Sequence, residues 1–278
     1  TSVYALVVLG SGIGAVLGLF LEGLYDALVN VPLLALERDL WGRAMHIGLA
    51  SVITGGVWWS FHWLYFARGD TDSTLRQVYL YLFAFLGGAI TILVALGAMV
   101  NAVLSWVLGA SGLSDAALHF RAIPTSFTVL VIGGLLLGYH WQVVREESLS
   151  TAARRHGAGR TFGYVMSALG LGSLAVGIPI LVGLLIGLVV PNARESLAGG
   201  DSFRNLLAIA LTLLVLGVPL WVWFWPRMQR QVREVGLEER RALSRRIFIY
   251  GVLGVLALAT LGSLIGFLFM LLRDLLEG

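Results

Sequence analysis

The chain has 278 residues, of which 58% are hydrophobic and 13% are charged, and its formal net charge is +3 at pH 7. A soluble domain of this length needs more polar surface, so the composition predicts an integral membrane protein. The absence of cysteine excludes disulfides, thiolate metal sites, iron–sulfur clusters and covalently attached haem. All 19 basic residues are arginine, and because a retinal Schiff base needs a lysine amine, a retinal protein is excluded as well.

Seven apolar runs are long enough to cross a hydrocarbon core, which takes about 20 helical residues. In chain order they fall near 3–29, 43–66, 77–108, 121–144, 161–190, 204–225 and 247–272. We therefore expect an all-α integral membrane protein with seven transmembrane helices, which form a single transmembrane domain over residues 1–278.

The spans alternate between two types. The even-numbered ones end in a shared pattern, because Gly55 to Trp63 aligns without a gap on Gly133 to Trp141 and on Gly217 to Trp225. The odd-numbered ones begin with a tyrosine, namely Tyr4, Tyr79, Tyr164 and Tyr250. The sequence thus predicts parallel two-helix repeats, three hairpins plus one unpaired helix. The units are expected at approximately 1–68, 76–145 and 160–227, with a half unit at 246–278.

Arginine counting predicts the orientation. The loops after spans two, four and six hold 13 of the 19 arginines: Arg68, Arg76, Arg145, Arg154, Arg155, Arg160, Arg227, Arg230, Arg233, Arg240, Arg241, Arg245 and Arg246. The positive-inside rule makes these loops cytoplasmic. We therefore expect the bacterial cytoplasmic membrane, with the N-terminus in the cytoplasm and the C-terminus outside.

Small-residue stripes predict close helix packing of the glycine-zipper kind. The longest is Gly10, Gly14 and Gly18, and the pairs Gly134/Gly138, Gly183/Gly187 and Gly262/Gly266 repeat its spacing. Contacts within the monomer are the expected use, and an oligomer interface is the alternative.

The hairpin pattern resembles a bacterial membrane-protein family that is catalogued as domain of unknown function 5671. The resemblance rests on Arg76-Gln77-Val78-Tyr79-Leu80-Tyr81 followed by Tyr139-His140-Trp141. It would cover nearly the whole chain as successive units, although the third unit has Phe224 in the histidine place. The resemblance implies an architecture of tandem two-helix units and implies no activity.

His62 and His140 are candidate cofactor ligands, because they occupy equivalent positions on two helices that run in the same direction. Two imidazoles so placed can hold haem b or a chlorin between helices. However, Trp63 and Trp141 flank them as an interfacial belt, and the repeat keeps its form with Phe224 in the third copy. We expect interfacial histidines that hydrogen-bond a neighbouring helix and no cofactor, and haem b remains an alternative hypothesis.

Glu22 and Asp26 are candidate ligand- or ion-binding residues, because they lie four residues apart on one face of the first span. A carboxylate inside a membrane is a functional hypothesis by default. Pairing with Arg43 or Arg121, which start their helices on the same side, is the structural alternative. Asn101 is the counterpart of Asp26 in the second unit, so the position is polar without being always charged.

The sequence holds no nucleophile–base–acid set, no glycine-rich phosphate loop and no metal-ligand spacing. We therefore expect no enzyme and no metal, and a non-catalytic scaffold or accessory subunit of a membrane complex. Its expected partners are the lipid bilayer and other membrane subunits or a homo-oligomer, with no nucleic acid. The alternatives are an ion or small-molecule channel or transporter using Glu22 and Asp26, and an electron-transfer protein with haem b or a chlorin at His62 and His140.

Overall fold

The protein is described by a computed structural model over residues 2–29, 42–67, 69, 76, 79–110, 115–148, 152–189, 200–236 and 242–277. Three of the arginines counted for orientation, Arg68, Arg240 and Arg241, lie outside these ranges, as do parts of the predicted loops. All the elements within them are helices, as the composition predicts.

Seven long helices follow one another along the chain. They are α1 Ser2–Val29, α2 Arg43–Ser60, α3 Gly87–Val107, α4 Ile123–Ser148, α5 Ala152–Val189, α6 Gly200–Val235 and α7 Leu243–Glu277. α2 continues into a π-helix at Phe61–Ala67, and α3 is preceded by one at Tyr79–Leu86. A single helical turn, Ala116–His119, stands before α4.

Six helices of the described chain are long and apolar enough to cross a membrane: Ser2–Val29, Phe83–Val107, Ala116–Glu146, Arg160–Val189, Ser202–Glu234 and Leu243–Leu276. They correspond to every predicted span except the second. α2 differs because Arg43 and His46, together with serine, threonine and tryptophan, dilute its apolar character. The fold is therefore all-helical and suited to a membrane.

The helices pack first as consecutive hairpins, α1 with α2, α3 with α4 and α5 with α6. In the first hairpin two glycines bring the backbones together. A Cβ added to Gly12 would lie 2.6 Å from the amide nitrogen of Val52, and one added to Gly55 would lie 2.5 Å from that of Leu9. Since residue numbers rise on one helix as they fall on the other, the two helices are antiparallel. Only glycine allows this approach.

The predicted glycine stripes do not bring helix backbones together in this way. Gly10, Gly14 and Gly18 face the side chains of α4, with Ile132 and Thr128 at 3.0–3.9 Å from an added Cβ. This is a contact within the monomer, through side chains. An added Cβ at Gly134, Gly138, Gly262 or Gly266 would meet nothing within 4 Å, so the expected contact within the monomer is missing at these positions, and the alternative of an oligomer interface stays a prediction. The periodic spacing marks a small-residue face but does not tell whether a neighbour lies on it.

The buried core lies at one end of the bundle, where α2 and α4 finish and α3 begins. We call it the His–Trp end, after the repeated motif. Its buried residues are Trp63, Tyr79, Leu80, Phe85, Val143 and Val144. In contrast, α7 has no buried residue in its most apolar 18-residue stretch. It contacts α5 near its beginning, where Phe248 meets Tyr164 with ring centroids 5.5 Å apart.

Candidate functional site

A chain of hydrogen bonds joins three helices at the His–Trp end. Trp59 Nε1 donates to the hydroxyl of Tyr79 at 3.1 Å, and that hydroxyl lies 2.9 Å from Nε2 of His140. The other ring nitrogen of His140, Nδ1, lies 2.8 Å from the carbonyl oxygen of Leu136. Trp59 belongs to α2, Tyr79 to the π-helix that precedes α3, and His140 to α4. The bonds therefore hold the first hairpin to the second.

The partners fix the positions of the protons. The carbonyl of Leu136 can only accept, so Nδ1 of His140 carries a hydrogen and donates. In the neutral form of His140, Nε2 accepts, and the donor is the hydroxyl of Tyr79, whose oxygen in turn accepts from Trp59. Each polar group in this series of hydrogen bonds thus has a partner, as buried groups require.

A second hydrogen bond and a cation–π contact extend this cluster. Trp63 Nε1 donates to the hydroxyl of Tyr139 at 2.9 Å, and the guanidinium carbon of Arg76 lies 5.4 Å from the centre of a Trp63 ring. Trp63 and His140 are each only 1% exposed. Such contacts hold helices together, and the burial of His140 leaves no room for a substrate at its ring.

The structure places His62 in a different environment from His140. Its Nδ1 lies 3.1 Å from the carbonyl oxygen of Trp58, one turn back on the same helix, and its ring stacks on that of Trp58 with centroids 5.2 Å apart. The side-chain contacts of His62 lie on its own helix. The ring of His140 also contacts residues from two other helices. A haem between the two histidines would also require the Tyr79–His140 bond to break.

The predicted residues at the opposite end of the bundle do come together. Glu22, Asp26 and Arg121 line one pocket of about 330 Å³, which we call the Glu22 pocket. Its other lining residues are Tyr25, Leu118, His119, Ala122, Pro124 and Thr125. The pocket lies between α1 and the segment that leads into α4. It combines two carboxylates with a guanidinium and is therefore suited to a small polar or charged molecule.

Hydrogen bonds hold the walls of the Glu22 pocket. The hydroxyl of Thr125 donates to Oε1 of Glu22 at 3.0 Å, and the hydroxyl of Tyr25 donates to the carbonyl of Ala117 at 2.8 Å. On the far wall, Nε2 of His119 donates to the carbonyl of Ala102 at 2.7 Å. The first bond ties α1 to α4, and the other two tie α1 and α3 to the short turn before α4.

Two further candidates lie apart from this pocket. Asn101 accepts a hydrogen bond from Ser105 on its own helix at 3.3 Å, and it does not line the Glu22 pocket. Arg43 is exposed at the first position of α2. Asn101 therefore holds the place of Asp26 in the repeat but does not line this pocket.

The sequence reasoning missed three polar residues of the pocket, Tyr25, His119 and Thr125. Tyr25 follows Glu22 by three positions and Thr125 follows Arg121 by four, so helical spacing alone would have put each on the same face. His119 carries no such signal, because it enters through the short turn before α4. Among the described residues no group of three histidine, aspartate or glutamate side chains can hold a metal ion.

A family model matches residues 1–120 and 160–277, and its description is domain of unknown function (DUF5671). The chain belongs to the DUF5671 family. This confirms the resemblance that the tyrosine and His-Trp motifs predict. The two stretches of the DUF5671 match contain Glu22, Asp26 and Tyr79, while Arg121, Thr125 and His140 lie between them, so each site is only partly inside the match. Comparison with curated proteins and with solved structures gave no match.

Proposed function

We propose that the chain is a non-catalytic scaffold or accessory subunit of a membrane complex. The observation that carries this proposal is α7, an apolar helix of 35 residues that is exposed almost throughout its length. Leu253, Leu256 and Phe267, for example, are 55–61% exposed. A helix that is apolar on all sides belongs in lipid or against other helices, and α7 offers most of its surface for such contacts.

The seventh span is part of this proposal. α2 has 18 α-helical residues, which extend about 27 Å at 1.5 Å per residue, and its π-helical continuation adds to that length. It packs antiparallel on α1, which is itself long and apolar enough to cross the membrane. A helix so paired is best accommodated at the same depth as its partner, and this favours seven transmembrane helices.

The packing supports the two-helix repeat. The two matched stretches begin just before Tyr4 and Tyr164, but each contains three long helices, so the family match does not by itself indicate a two-helix unit. The hairpins that follow have similar close contacts, since Gly55 meets α1 at Leu9 and Gly217 meets α5 at Gly170. Relative to the tyrosine that begins each hairpin, Tyr4 or Tyr164, the positions of Leu9 and Gly170 differ by one residue. We infer parallel repeats, three hairpins and an unpaired α7.

The arginines support an orientation. Arg145 lies near the end of α4, and Arg227, Arg230 and Arg233 lie near the end of α6. We propose that these helix ends face the cytoplasm by the positive-inside rule. The C-terminus is then outside, and the membrane is the bacterial cytoplasmic membrane. The proposal includes no catalytic activity and no cofactor.

The experiment is the purification of the full chain from its native membrane in a mild detergent, followed by native mass spectrometry. We expect assemblies that contain a second copy of the chain or another membrane subunit. A chain that remains a monomer carrying only lipid, at several detergent concentrations, would contradict the proposal.

A second function is favoured by the Glu22 pocket, which brings Glu22 and Asp26 together in a polar cavity beside Arg121. It is a binding site for an ion or a small polar molecule, either in a channel or in a transporter. The test is flux into liposomes that contain the full chain or its Glu22→Gln variant. Glu146→Gln is the matched control, since it makes the same change at an exposed residue that does not line the pocket. If Glu22→Gln leaves every measured flux unchanged, this function is excluded.

A further inference from the structure

Aromatic rings from three helices meet where α7 begins. The ring of Tyr164 on α5 lies against that of Phe248 on α7, with centroids 5.5 Å apart. Trp225, towards the end of α6, lies against the same phenylalanine at 5.3 Å. Tyr164 is only 3% exposed. The first turns of α7 are therefore fixed against α5 and α6 by buried aromatic contacts.

Two arginines lie one helical turn before this aromatic contact. Arg160 precedes Tyr164 by four residues, and Arg245 precedes Phe248 by three. Residues at these spacings share one face of a helix, one turn apart. α5, α6 and α7 are consecutive helices of membrane-crossing length, so α5 and α7 cross in the same direction. The two arginines therefore lie at a similar level, on the sides where α5 and α7 meet.

Polar atoms of this junction are buried. They include Nε of Arg160 and Nη1 of Arg245. Within the part of the chain that the structure describes, Nη1 of Arg245 has no hydrogen-bond partner. A buried donor of a charged group is costly to leave unpaired, so this nitrogen needs an acceptor. Arg160 has contacts of its own in the fold, but a guanidinium with five N–H donors can keep these and bind a further acceptor.

The charge at this junction favours an anionic acceptor. Two neighbouring guanidinium groups bind the oxygens of a phosphate well, because their planar forks pair with two oxygens at a time. Among the side chains that the structure describes at this end of the bundle, the acidic ones are Glu146 and Glu234, and both are exposed. The site is therefore suited to the phosphate group of a ligand.

We propose that Arg160 and Arg245 bind the phosphate group of an anionic phospholipid where α5 and α7 meet. The residues beside Arg245 favour a lipid over a free phosphate, since Leu243, Ile247 and Tyr250 are 63–68% exposed. A phospholipid uses both this apolar surface and the arginines, whereas a free phosphate uses the arginines alone. Basic sites between membrane helices bind anionic headgroups in this way. The inference depends neither on the subunit role nor on the Glu22 pocket, which lies at the opposite end of the bundle.

The experiment measures the melting temperature of the delipidated full chain in detergent, followed by tryptophan fluorescence, while one of three probes is added. The first is dioleoylphosphatidylglycerol. The second is dioleoylglycerol, which has the same acyl chains without the phosphate, and the third is inorganic phosphate, which has no acyl chains.

The variants remove one guanidinium each. They are Arg160→Gln and Arg245→Gln, and the matched control is Arg246→Gln, which removes the same charge from the next, exposed position of α7. Arg245→Lys keeps the charge but loses the planar fork. It replaces Arg245→Gln if circular dichroism shows that glutamine disturbs the fold.

We expect dioleoylphosphatidylglycerol to raise the melting temperature and dioleoylglycerol to leave it unchanged. Arg160→Gln and Arg245→Gln should each raise the lipid concentration needed for half of the effect by about 10-fold or more, and Arg246→Gln should raise it much less. Arg245→Lys should also weaken the effect, by a smaller factor than glutamine.

Two results overturn the proposal. One is an equal response of Arg245→Gln and Arg246→Gln, which would mean that the lipid responds to general surface charge. The other is a stabilisation by dioleoylglycerol as large as that by the phospholipid. A full effect of inorganic phosphate alone, lost in Arg245→Gln, would support the phosphate site and overturn the lipid as its source.

Discussion

Gly55 and Gly56 offer a matched pair for measuring how tightly α1 and α2 pack. A Cβ at residue 55 would lie 2.5 Å from the amide nitrogen and 2.8 Å from the Cα of Leu9. Both are backbone atoms, which cannot rotate away. A Cβ at residue 56 would meet only Cδ1 of Leu9 at 3.7 Å, an ordinary contact. The two alanine variants therefore differ in one clash and share nearly everything else.

The magnitude follows from the distances. To reach ordinary contact at 3.4 Å, α1 must move away from α2 by about 1 Å near Gly55, and contacts on either side are lost. Overpacking of this kind costs about 1–3 kcal/mol. Alanine in place of a helical glycine stabilises by about 0.5–1 kcal/mol, and this gain applies to both variants. The difference between them should thus be about 1–3 kcal/mol, or about 5-fold to 150-fold in the folded-to-unfolded ratio.

The assay is reversible unfolding of the full chain in mixed micelles with increasing denaturing detergent, followed by far-ultraviolet circular dichroism. Gly55→Ala should unfold earlier than the unchanged chain, and Gly56→Ala should unfold at the same point or later. If both variants shift by the same amount, or if Gly55→Ala is the more stable, the close approach of α1 and α2 at Leu9 is refuted.

Four further substitutions test the two sites. His140 bonds Tyr79 across helices, whereas His62 bonds only its own helix. His140→Phe should therefore cost about 1–3 kcal/mol of unfolding free energy, and His62→Phe should cost much less. Equal losses in the same unfolding assay would contradict the assigned hydrogen bonds. Tyr79→Phe leaves the indole N–H of Trp59 without its acceptor, so a loss of similar size should appear with a changed near-ultraviolet spectrum, and an unchanged spectrum would argue against the bond. Glu22→Gln keeps an oxygen for the hydroxyl of Thr125, so the variant should stay within about 1 kcal/mol of the parent while any ligand that needs the carboxylate no longer shifts the melting temperature.

Much of the fold could be predicted because membrane helices are specified locally. A run of about 20 apolar residues must satisfy its own backbone hydrogen bonds, and the α-helix does so within the segment. The runs that predict α1 and α3–α7 therefore correspond to helices of suitable length and hydropathy. α2 was harder to judge, because Trp58, Trp59 and Thr54 lower its hydropathy although it packs on α1 along its length.

The sites were predictable only in part. Helical spacing put Glu22 and Asp26 on one face, and the two line one pocket. His119 could not be foreseen there, because it reaches the pocket through a turn whose position depends on α3 and α4. In the same way, His62 and His140 are equivalent in the aligned sequence but have different neighbours. Only His140 meets a tyrosine hydroxyl from another hairpin.

The sequence by itself determined the class of the protein, its helices and its family, because composition and periodicity act within a few turns of a chain. The tertiary structure alone decided which histidine is buried and which polar residues share a cavity. His62 and His140 hold the same place in the repeat, yet only His140 is fully buried and bonded to another helix. Contacts of this kind depend on segments far apart in the chain, and no local pattern records them.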